Sequence, residues 1–428
     1  MKKINIAVVG LGNIGSYFVK TVLKNKNNIA RKTGRIPVIK YISAKNYLKK
    51  RTFNKNKFIW KKNPLKVLSN DVDVVVELVG GSSGIAKKLI FAALKNKKHV
   101  ITANKSLISK YGDELAVIAE KNKVNLEYEA AVAGGVPIIR SLKDGLISNK
   151  INKIYGILNG TTNYVLSSME ENKKTFSEVL EKAKKLGFAE TNPIADLNGT
   201  DAAAKIKILS SIAYNKTISK NKILVEGIQH INLVDIKHSK ALGYKIKLLA
   251  ISEIKKNKLL ERVHPCLVSQ DSRIANINGV LNAIVIDGFP IGRSILQGEG
   301  AGPGPTTSSL ISDLCSVLRG NVKYPFGVSY LNRKKIDKFD ILNRDLSSYL
   351  RINVKDQPGV LSSITKIFSK NKISIKNLIQ APDKKMKIAS IAIITHENKE
   401  KNFKNLIKNL TKNKFVIKKP TFIRIEKV

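Results

Sequence analysis

The sequence predicts an α/β protein in three parts: an open parallel sheet with helices, a middle α+β unit, and a C-terminal unit in βαββαβ order. Three observations carry this. Residues 4–9, from Ile4 to Val9, form a buried-strand run that feeds a glycine-rich turn and a helical stretch, Ser16 to Leu23. Beyond Pro137 the regular strand–helix alternation gives way to strands mixed with long helices. Past a polar linker, the chain reads strand, helix, strand, strand, helix, strand to its end. The parts are placed at 1–136, 137–330 and 347–428, with residues 331–346 as the linker. A chain of 428 residues with 43% hydrophobic content has ample core for two or three domains.

Gly10-Leu-Gly12-Asn13-Ile14-Gly15 stands between the first strand and its helix, the context that gives G-x-G-x-x-G its meaning. Glycines permit the tight turn and the close approach of backbone, and the helix N-terminus faces a pyrophosphate. The first part is therefore expected to be a Rossmann domain that holds a dinucleotide. In such folds an acid at the end of the second strand holds the ribose hydroxyl. Here that strand, Ile36 to Ile42, ends in Ser43-Ala44-Lys45, and the first sixty residues contain no Asp or Glu. Lys45, Lys49, Lys50 and Arg51 follow instead. Cations suit a 2′-phosphate, so NADPH is the expected cofactor and NADH the alternative. A third strand, Val72 to Val79, ends in Gly80-Gly81, a helix runs through Ala92, and a further strand from His99 leads to Thr102-Ala-Asn-Lys105. The carboxyl ends of such strands are where open α/β sheets bind ligands.

The densest chemistry lies between Ala183 and Lys205. Glu190, Asp196, Asp201 and Lys205 converge there, in a chain with only 32 acids against 77 Lys+Arg. Thr191-Asn-Pro193 and Leu197-Asn-Gly-Thr200 read as loop, and Asp201 then opens a helix through Ala202 to Ala204. Asp201 and Lys205 are four residues apart, so they share one helix face. Taken alone they would make a solvated ion pair. Three acids on a loop that ends at one lysine instead fit proton transfer at a polar small-molecule site. Further on, Gln297-Gly-Glu-Gly-Ala-Gly302-Pro-Gly-Pro305 enters a helix, Thr306 to Leu318. Such a loop makes a plain turn or closes over a cofactor, and its place before a helix N-terminus favours the second. In the last unit Tyr349 to Val354 reads as a strand, Asp356-Gln-Pro-Gly359 as a turn and Val360 to Phe368 as an amphipathic helix.

The net charge of +45 first points to nucleic acid. Only twelve of the 77 basic residues are Arg, however, and the lysines are spread along the chain among Asn and Ile. That is compositional drift and not a binding stripe, so no nucleic-acid partner is expected. Cys266 and Cys315 give neither a disulfide framework nor metal spacing. The apolar start is cut by Gly10, Gly12 and Gly15, and no stretch is long enough to span a bilayer, so a soluble, cytoplasmic protein is expected.

Over essentially its full length the chain resembles homoserine dehydrogenase. Ala183, Gly187, Asn192-Pro193, Asp196, Gly199, Asp201 and Lys205 match the family signature, and the glycine loop at Gly10, Thr102 to Lys105, Asn159-Gly-Thr-Thr-Asn163 and Gly300-Ala-Gly302 resemble further family motifs. The last unit resembles an ACT domain through Asp356 to Gly359, and the whole resembles the monofunctional form. The resemblance implies interconversion of L-homoserine and L-aspartate 4-semialdehyde, physiologically towards threonine, methionine and isoleucine. It implies Lys205 as proton donor and acceptor beside Asp201, Glu190 on the substrate ammonium, Asp196 orienting substrate or water, and Lys105 touching cofactor and substrate. Gly10, Gly12, Asn13, Ile14, Gly15, Ala44, Gly80, Lys105 and Gly302 would hold the cofactor, with Lys45 and Arg51 read from their charge for its phosphate. Glu129 and the carbonyls of Val132, Gly134 and Val136 match the family's monovalent-cation site, for which sodium is the precedent. A homodimer or homotetramer with a threonine effector at the ACT domain is also implied. Two other readings compete. A thioester-forming aldehyde dehydrogenase needs a low-pKa thiolate beside a base, and Cys266 after His264-Pro265 is its only foothold. A non-catalytic sensor of NADP and an amino acid would have no use for the intact loop Glu190 to Lys205.

Overall fold

The computed structural model describes residues 1–383 and 387–428. Six parallel strands open the chain: β1 (Lys2–Val9), β2 (Arg35–Ser43), β3 (Ile59–Trp60), β4 (Val74–Glu77), β5 (His99–Thr102) and β6 (Leu126–Glu127). Their order, β3-β2-β1-β4-β5-β6, reverses between β1 and β4. That reversal leaves a crevice at the carboxyl ends of the two strands, the place where this topology takes a ligand. Gly10 closes β1 at φ +98°, and a β-carbon there would collide with the backbone of Leu78. A β-carbon at Gly15 would collide with the carbonyl of Gly10, so the turn can pack against its helix only with glycine at both places.

The first helix runs Asn13–Thr33, well past the predicted Leu23. Lys24 to Asn28 are five polar residues in a row and look like a breaker, but the helix runs on through them fully exposed, and Ile29 and Ala30 return to the core. The helix ends where Gly34 turns left-handed and donates its N–H to the carbonyl of Ala30. The two-residue β3 was absent from the sequence reading, being too short to show a period.

The middle part contributes β7 (Lys150–Ile157), β8 (Leu224–Val225), β9 (Tyr244–Lys255), β10 (Lys258–Ser269), β11 (Leu281–Phe289) and β12 (Gly292–Glu299). The last part contributes β13 (Asp345–Lys355), β14 (Ile375–Asp383), β15 (Ile388–Thr395), β16 (Asn398–Lys399) and β17 (Thr421–Ile425), with helices Val360–Lys370 and Glu400–Thr411. The C-terminal βαββαβ order is as predicted. Its separateness is not: β10 and β17 pair in parallel, Cys266 against Arg424 and Leu267 against Ile425, so both parts share one sheet. The order is β12-β11-β7-β9-β10-β17-β13-β15-β14, with β8 also on β10 and β16 on β13.

Alternation along β13 divides its side chains between two cores. Leu350, Ile352 and Val354 pack under the unit's own helices. Tyr349 belongs to the main core, as do Ala392, Ile394 and Ile423. The linker is likewise no free spacer. Leu259 donates its N–H to the carbonyl of Asp337 at 2.8 Å, Phe339 donates back to Leu259 at 2.8 Å, and buried Arg333 pairs with Asp113 at 2.7 Å. Among the described residues no helix is long and apolar enough to cross a membrane.

Candidate active site

Two lysines from different parts of the chain close on one carboxylate. Asp201 sits in the first turn of the helix Thr200–Ala213 and is 7% exposed. Its Oδ2 meets Lys205 Nζ at 2.8 Å and its Oδ1 meets Lys105 Nζ at 2.9 Å. Lys205 follows one turn along the same helix. Lys105 opens the helix Lys105–Lys121 beyond β5, where Asn104 caps by accepting the N–H of Leu107 at 3.1 Å. Lys205 also donates to the carbonyl of Leu158 at 2.7 Å. An ammonium has three N–H groups, so commitment of two leaves one for the pocket.

The charge states follow from this packing. Burial alone would push the Asp201 carboxyl up, but the Lys205 and Lys105 ammonium groups and hydrogen bonds from Lys205 and Asn159 hold it well below the usual carboxylate range. For Lys105, burial works downward, yet Asp201, followed by Asp196 and Glu190, keeps it above its ordinary value. Asp201 is therefore a standing carboxylate that orients two lysines.

Asn159 holds the acid loop to this centre. It caps the helix Gly160–Asn172 through Oδ1, which accepts the N–H of Thr162 at 2.9 Å. Its Nδ2 is then free to donate to Asp201 Oδ2 at 3.0 Å and to Asp196 Oδ1 at 2.8 Å. The Thr161 hydroxyl donates to the carbonyl of Phe188 at 2.7 Å and lies 3.3 Å from Asp196 Oδ2. In the sequence Asn159 to Asn163 stands out as a motif without a role for Asn159 or Thr161; an Asn before a helix is a cap signal and says nothing of what its amide nitrogen holds. Glu190 lies exposed at the rim, and Asp196 is half-buried. Together with Asp201, Lys105, Lys205 and Gly302 they line one pocket of about 460 Å³.

On the nucleotide side, Gly12 precedes the first helix, so Gly10 to Gly15 present its N-terminus. Glu77 at the end of β4 accepts the N–H groups of Val79 and Gly80 at 2.8 and 2.9 Å and the Thr102 hydroxyl at 2.7 Å. It thereby shapes the Gly80 turn, a role the sequence did not reveal. Ala44 is half-buried and Lys45 exposed at the end of β2. Arg51 is turned inward on its own loop, donating to the carbonyls of Asn46, Lys49 and Tyr47 at 2.6, 2.8 and 3.2 Å, with its guanidinium 5.1 Å from the Trp60 ring.

The segment from Glu129 to Val136 lies directly behind the glycine-rich loop. Gly135 donates to the carbonyl of Glu299 at 2.9 Å, and a β-carbon at Gly134 would crowd Gly300. Both carboxylate oxygens of Glu129 are engaged, by the N–H groups of Ile139 at 2.8 Å and Arg140 at 2.7 Å. The Gly134 carbonyl accepts the Ser309 hydroxyl, and the Val136 carbonyl accepts the N–H of Ile138 at 2.8 Å. Each carbonyl keeps a second lone pair, and the donor set is oxygen throughout.

Cys266 is in none of this. It is fully buried in β10, burial pushes its thiol well up, and His264 Nδ1 lies 3.3 Å away. A protonated thiol outside the pocket cannot form a thioester, which removes that reading. His264, Cys266 and Glu426 are close enough together to hold an ion, but Glu426 is already bound by Arg262 and Arg344, whose charge opposes a cation. Five of the twelve arginines, Arg262, Arg333, Arg344, Arg351 and Arg424, are buried, so they are not available to nucleic acid.

Comparison with known proteins agrees with this geometry. Three family models match: "Homoserine dehydrogenase, NAD binding domain" over residues 10–129, "Homoserine dehydrogenase" over 137–315, and "ACT domain" over 348–415. The homoserine dehydrogenase of Neisseria gonorrhoeae is 37% identical, the match covering 100% of this chain and 99% of that one. The crystal structure of a homoserine dehydrogenase from Thiobacillus denitrificans superposes with a TM-score of 0.91 at 34% identity, over 100% of this chain and 99% of that one. A hyperthermophilic archaeal homoserine dehydrogenase in complex with NADPH gives a TM-score of 0.64 at 25% identity, over 75% of this chain and 100% of that one.

Proposed function

The chain belongs to the homoserine dehydrogenase family, and on that premise we propose how its own residues divide the reaction. The reaction interconverts L-aspartate 4-semialdehyde and L-homoserine, and a nicotinamide cofactor supplies or takes the hydride when bound. The third N–H of Lys205 points the assignment, since its other two are held by Asp201 and Leu158. In reduction Lys205 gives a proton to the aldehyde oxygen as hydride reaches the carbonyl carbon; in oxidation it takes the hydroxyl proton back. Asp201 positions Lys205 and Lys105 without exchanging protons. Glu190 receives the substrate ammonium at the rim, Asp196 orients substrate or a water, and Lys105 bridges substrate and cofactor. Oxidation of NADPH on adding aspartate semialdehyde, followed by absorbance, tests the whole assignment; no oxidation would overturn it. We place the enzyme in the cytoplasm, in the route to threonine, methionine and isoleucine, and divide it at 1–136, 137–330, 331–346 and 347–428.

Gly10, Gly12, Asn13, Ile14, Gly15, Ala44, Gly80, Lys105 and Gly302 would hold the cofactor, and NADPH is its preferred form. The absence of an acid at the end of β2 and the exposed ammonium of Lys45 support this, as does the NADPH complex of the archaeal relative. Arg51 contributes mainly by shaping the loop that carries Lys45. The specificity constant for NADPH should exceed that for NADH. Lys45→Ala should cut the NADPH constant by about tenfold, the worth of one charge-assisted hydrogen bond, and leave that for NADH unchanged. Equal constants for the two cofactors in the unaltered protein would defeat this reading.

The all-oxygen set of Glu129 and the carbonyls of Val132, Gly134 and Val136 suits a hard monovalent cation, sodium by family precedent. Bound there, the ion would brace the glycine-rich loop from behind. Among the described residues β12 and β14 end the long sheet with unpaired edges, which supports assembly into a homodimer or homotetramer. The ACT domain is proposed as a threonine sensor. Its Asp356-Gln-Pro-Gly359 turn presents a carboxylate and helix N–H groups to solvent, a fit for an amino-acid zwitterion. Millimolar threonine should inhibit the full-length enzyme, and Asp356→Asn should blunt that inhibition. Full activity of the unaltered enzyme in threonine would leave the domain structural.

A further inference from the structure

Asn282 has no place in the assignments above, yet it lies in the same pocket. It sits on β11 opposite Gly298 of β12, is 1% exposed, and lines the cavity together with Lys105, Lys205 and Gly302. Neither Oδ1 nor Nδ2 of its side chain has a hydrogen-bond partner. The contrast with its neighbours is sharp, because Asn159, Asp201 and Lys205 satisfy one another and Thr161 is held by Phe188 and Asp196. Buried polar groups are normally paired, and leaving both halves of an amide unpaired opposes folding. The glycine-rich loop is also shaped around this side chain: a β-carbon on Gly300 would collide with the Asn282 carboxamide.

We propose that the Asn282 carboxamide receives the carboxamide of the nicotinamide ring and so fixes which face of the ring meets the substrate beside Lys205. The inference rests on the reading of this pocket as the cofactor and substrate site. Both orphaned atoms decide the partner. A carboxylate would use only Nδ2 and an ammonium only Oδ1, whereas a second carboxamide offers an acceptor and a donor side by side. The loop against which Asn282 packs, Glu299 to Gly302, is the one placed over the cofactor. Asn282 is thus a cofactor-positioning residue with no proton to exchange.

The test is calorimetric binding of NADP⁺ and of its 3-acetylpyridine analogue, in which a methyl group replaces the amide nitrogen, to the full-length protein and to Asn282→Ala and Asn282→Asp. Unaltered protein should bind NADP⁺ roughly 3- to 10-fold more tightly than the analogue, the worth of a neutral hydrogen bond. That preference should fall to near unity in Asn282→Ala. Substrate KM should change less than cofactor affinity. Three results overturn the proposal: no preference in the unaltered protein, which needs no variant to be folded; a preference retained in both variants; or a raised substrate KM with cofactor affinity intact, which would give Asn282 to the substrate. Failure of the unaltered protein to bind either dinucleotide would overturn the site reading along with it.

Discussion

Lys205→Ala is expected to lower turnover by about 10²- to 10⁴-fold, the range for a lost general acid–base, with cofactor affinity close to normal. The geometry makes the loss specific. Lys205 is the only lysine of the cluster whose ammonium is bound on two sides, to Asp201 and Leu158, and so aimed at the pocket. Lys105 meets Asp201 through a side chain 40% exposed to solvent and lacks that second anchor. Lys205→Arg should be nearly as inactive, because a guanidinium keeps a charge near Asp201 but does not release its proton at working pH. The arginine variant also guards against a trivial outcome, since alanine leaves Asp201 buried with one fewer partner. Steady-state rates beside fluorescence titration with NADPH decide the matter. Turnover near that of the unaltered enzyme in either variant would remove Lys205 from proton transfer.

The parts of this site that were legible in the sequence share one property: their geometry is local. Asp201 and Lys205 lie four apart on a helix, and Gly10, Gly12 and Gly15 bound a single turn, so spacing alone puts their atoms together. What joins distant segments left no such trace. The resemblance put Lys105 and Asp201 at one site, but spacing does not show that they pair; that contact forms only where the helices Lys105–Lys121 and Thr200–Ala213 meet. Asn282 reads as one polar residue in an alternating strand. The pairing of β17 with β10 is the largest omission, because a parallel pairing between segments so far apart is set by tertiary packing and has no turn to announce it. The few arginines carried information after all: their scarcity argued against nucleic acid, and three of the buried ones, Arg262, Arg351 and Arg424, turn out to bind the C-terminal unit to the middle of the chain.

That binding predicts the second large effect. A chain cut near Asn343 is expected to lose its stable fold, although the sequence alone presents residues 347–428 as a detachable unit. Removal would strip Tyr349, Ala392, Ile394 and Ile423 from the main core and expose the edge of β10. It would also break three ion pairs: Asp235 loses Arg351 at 2.6 Å, Glu226 loses Arg424 at 2.8 Å, and Arg262 loses Glu426 at 3.0 Å and keeps only Glu253. The damage would reach the acid loop, because the segment after Glu226 supports it. Ile228 donates to the carbonyl of Leu197 at 3.0 Å, and the α-carbon of Gly227 lies too close to Asn198 to bear a side chain. A single substitution isolates the electrostatic part. Glu426→Ala leaves Arg344 buried without a carboxylate and Arg262 with Glu253 alone, and should cost about 3–5 kcal/mol, the scale of a broken buried pair. Burial works to raise the Glu426 carboxyl, but Arg262 and Arg344, with His264, hold it well below its ordinary value. A carboxyl lowered on folding stabilises at neutral pH, and that contribution drains away as pH falls below the unfolded value and through the folded one. Glu426→Gln should therefore flatten the acid limb of a stability–pH profile while keeping the shape of the side chain. Urea unfolding of the full chain and both variants, from neutral pH to about pH 4, near the ordinary carboxylate value, measures both effects. An unfolding midpoint unchanged in Glu426→Ala, or a truncated chain as stable as the whole, would show that the C-terminal unit is merely attached.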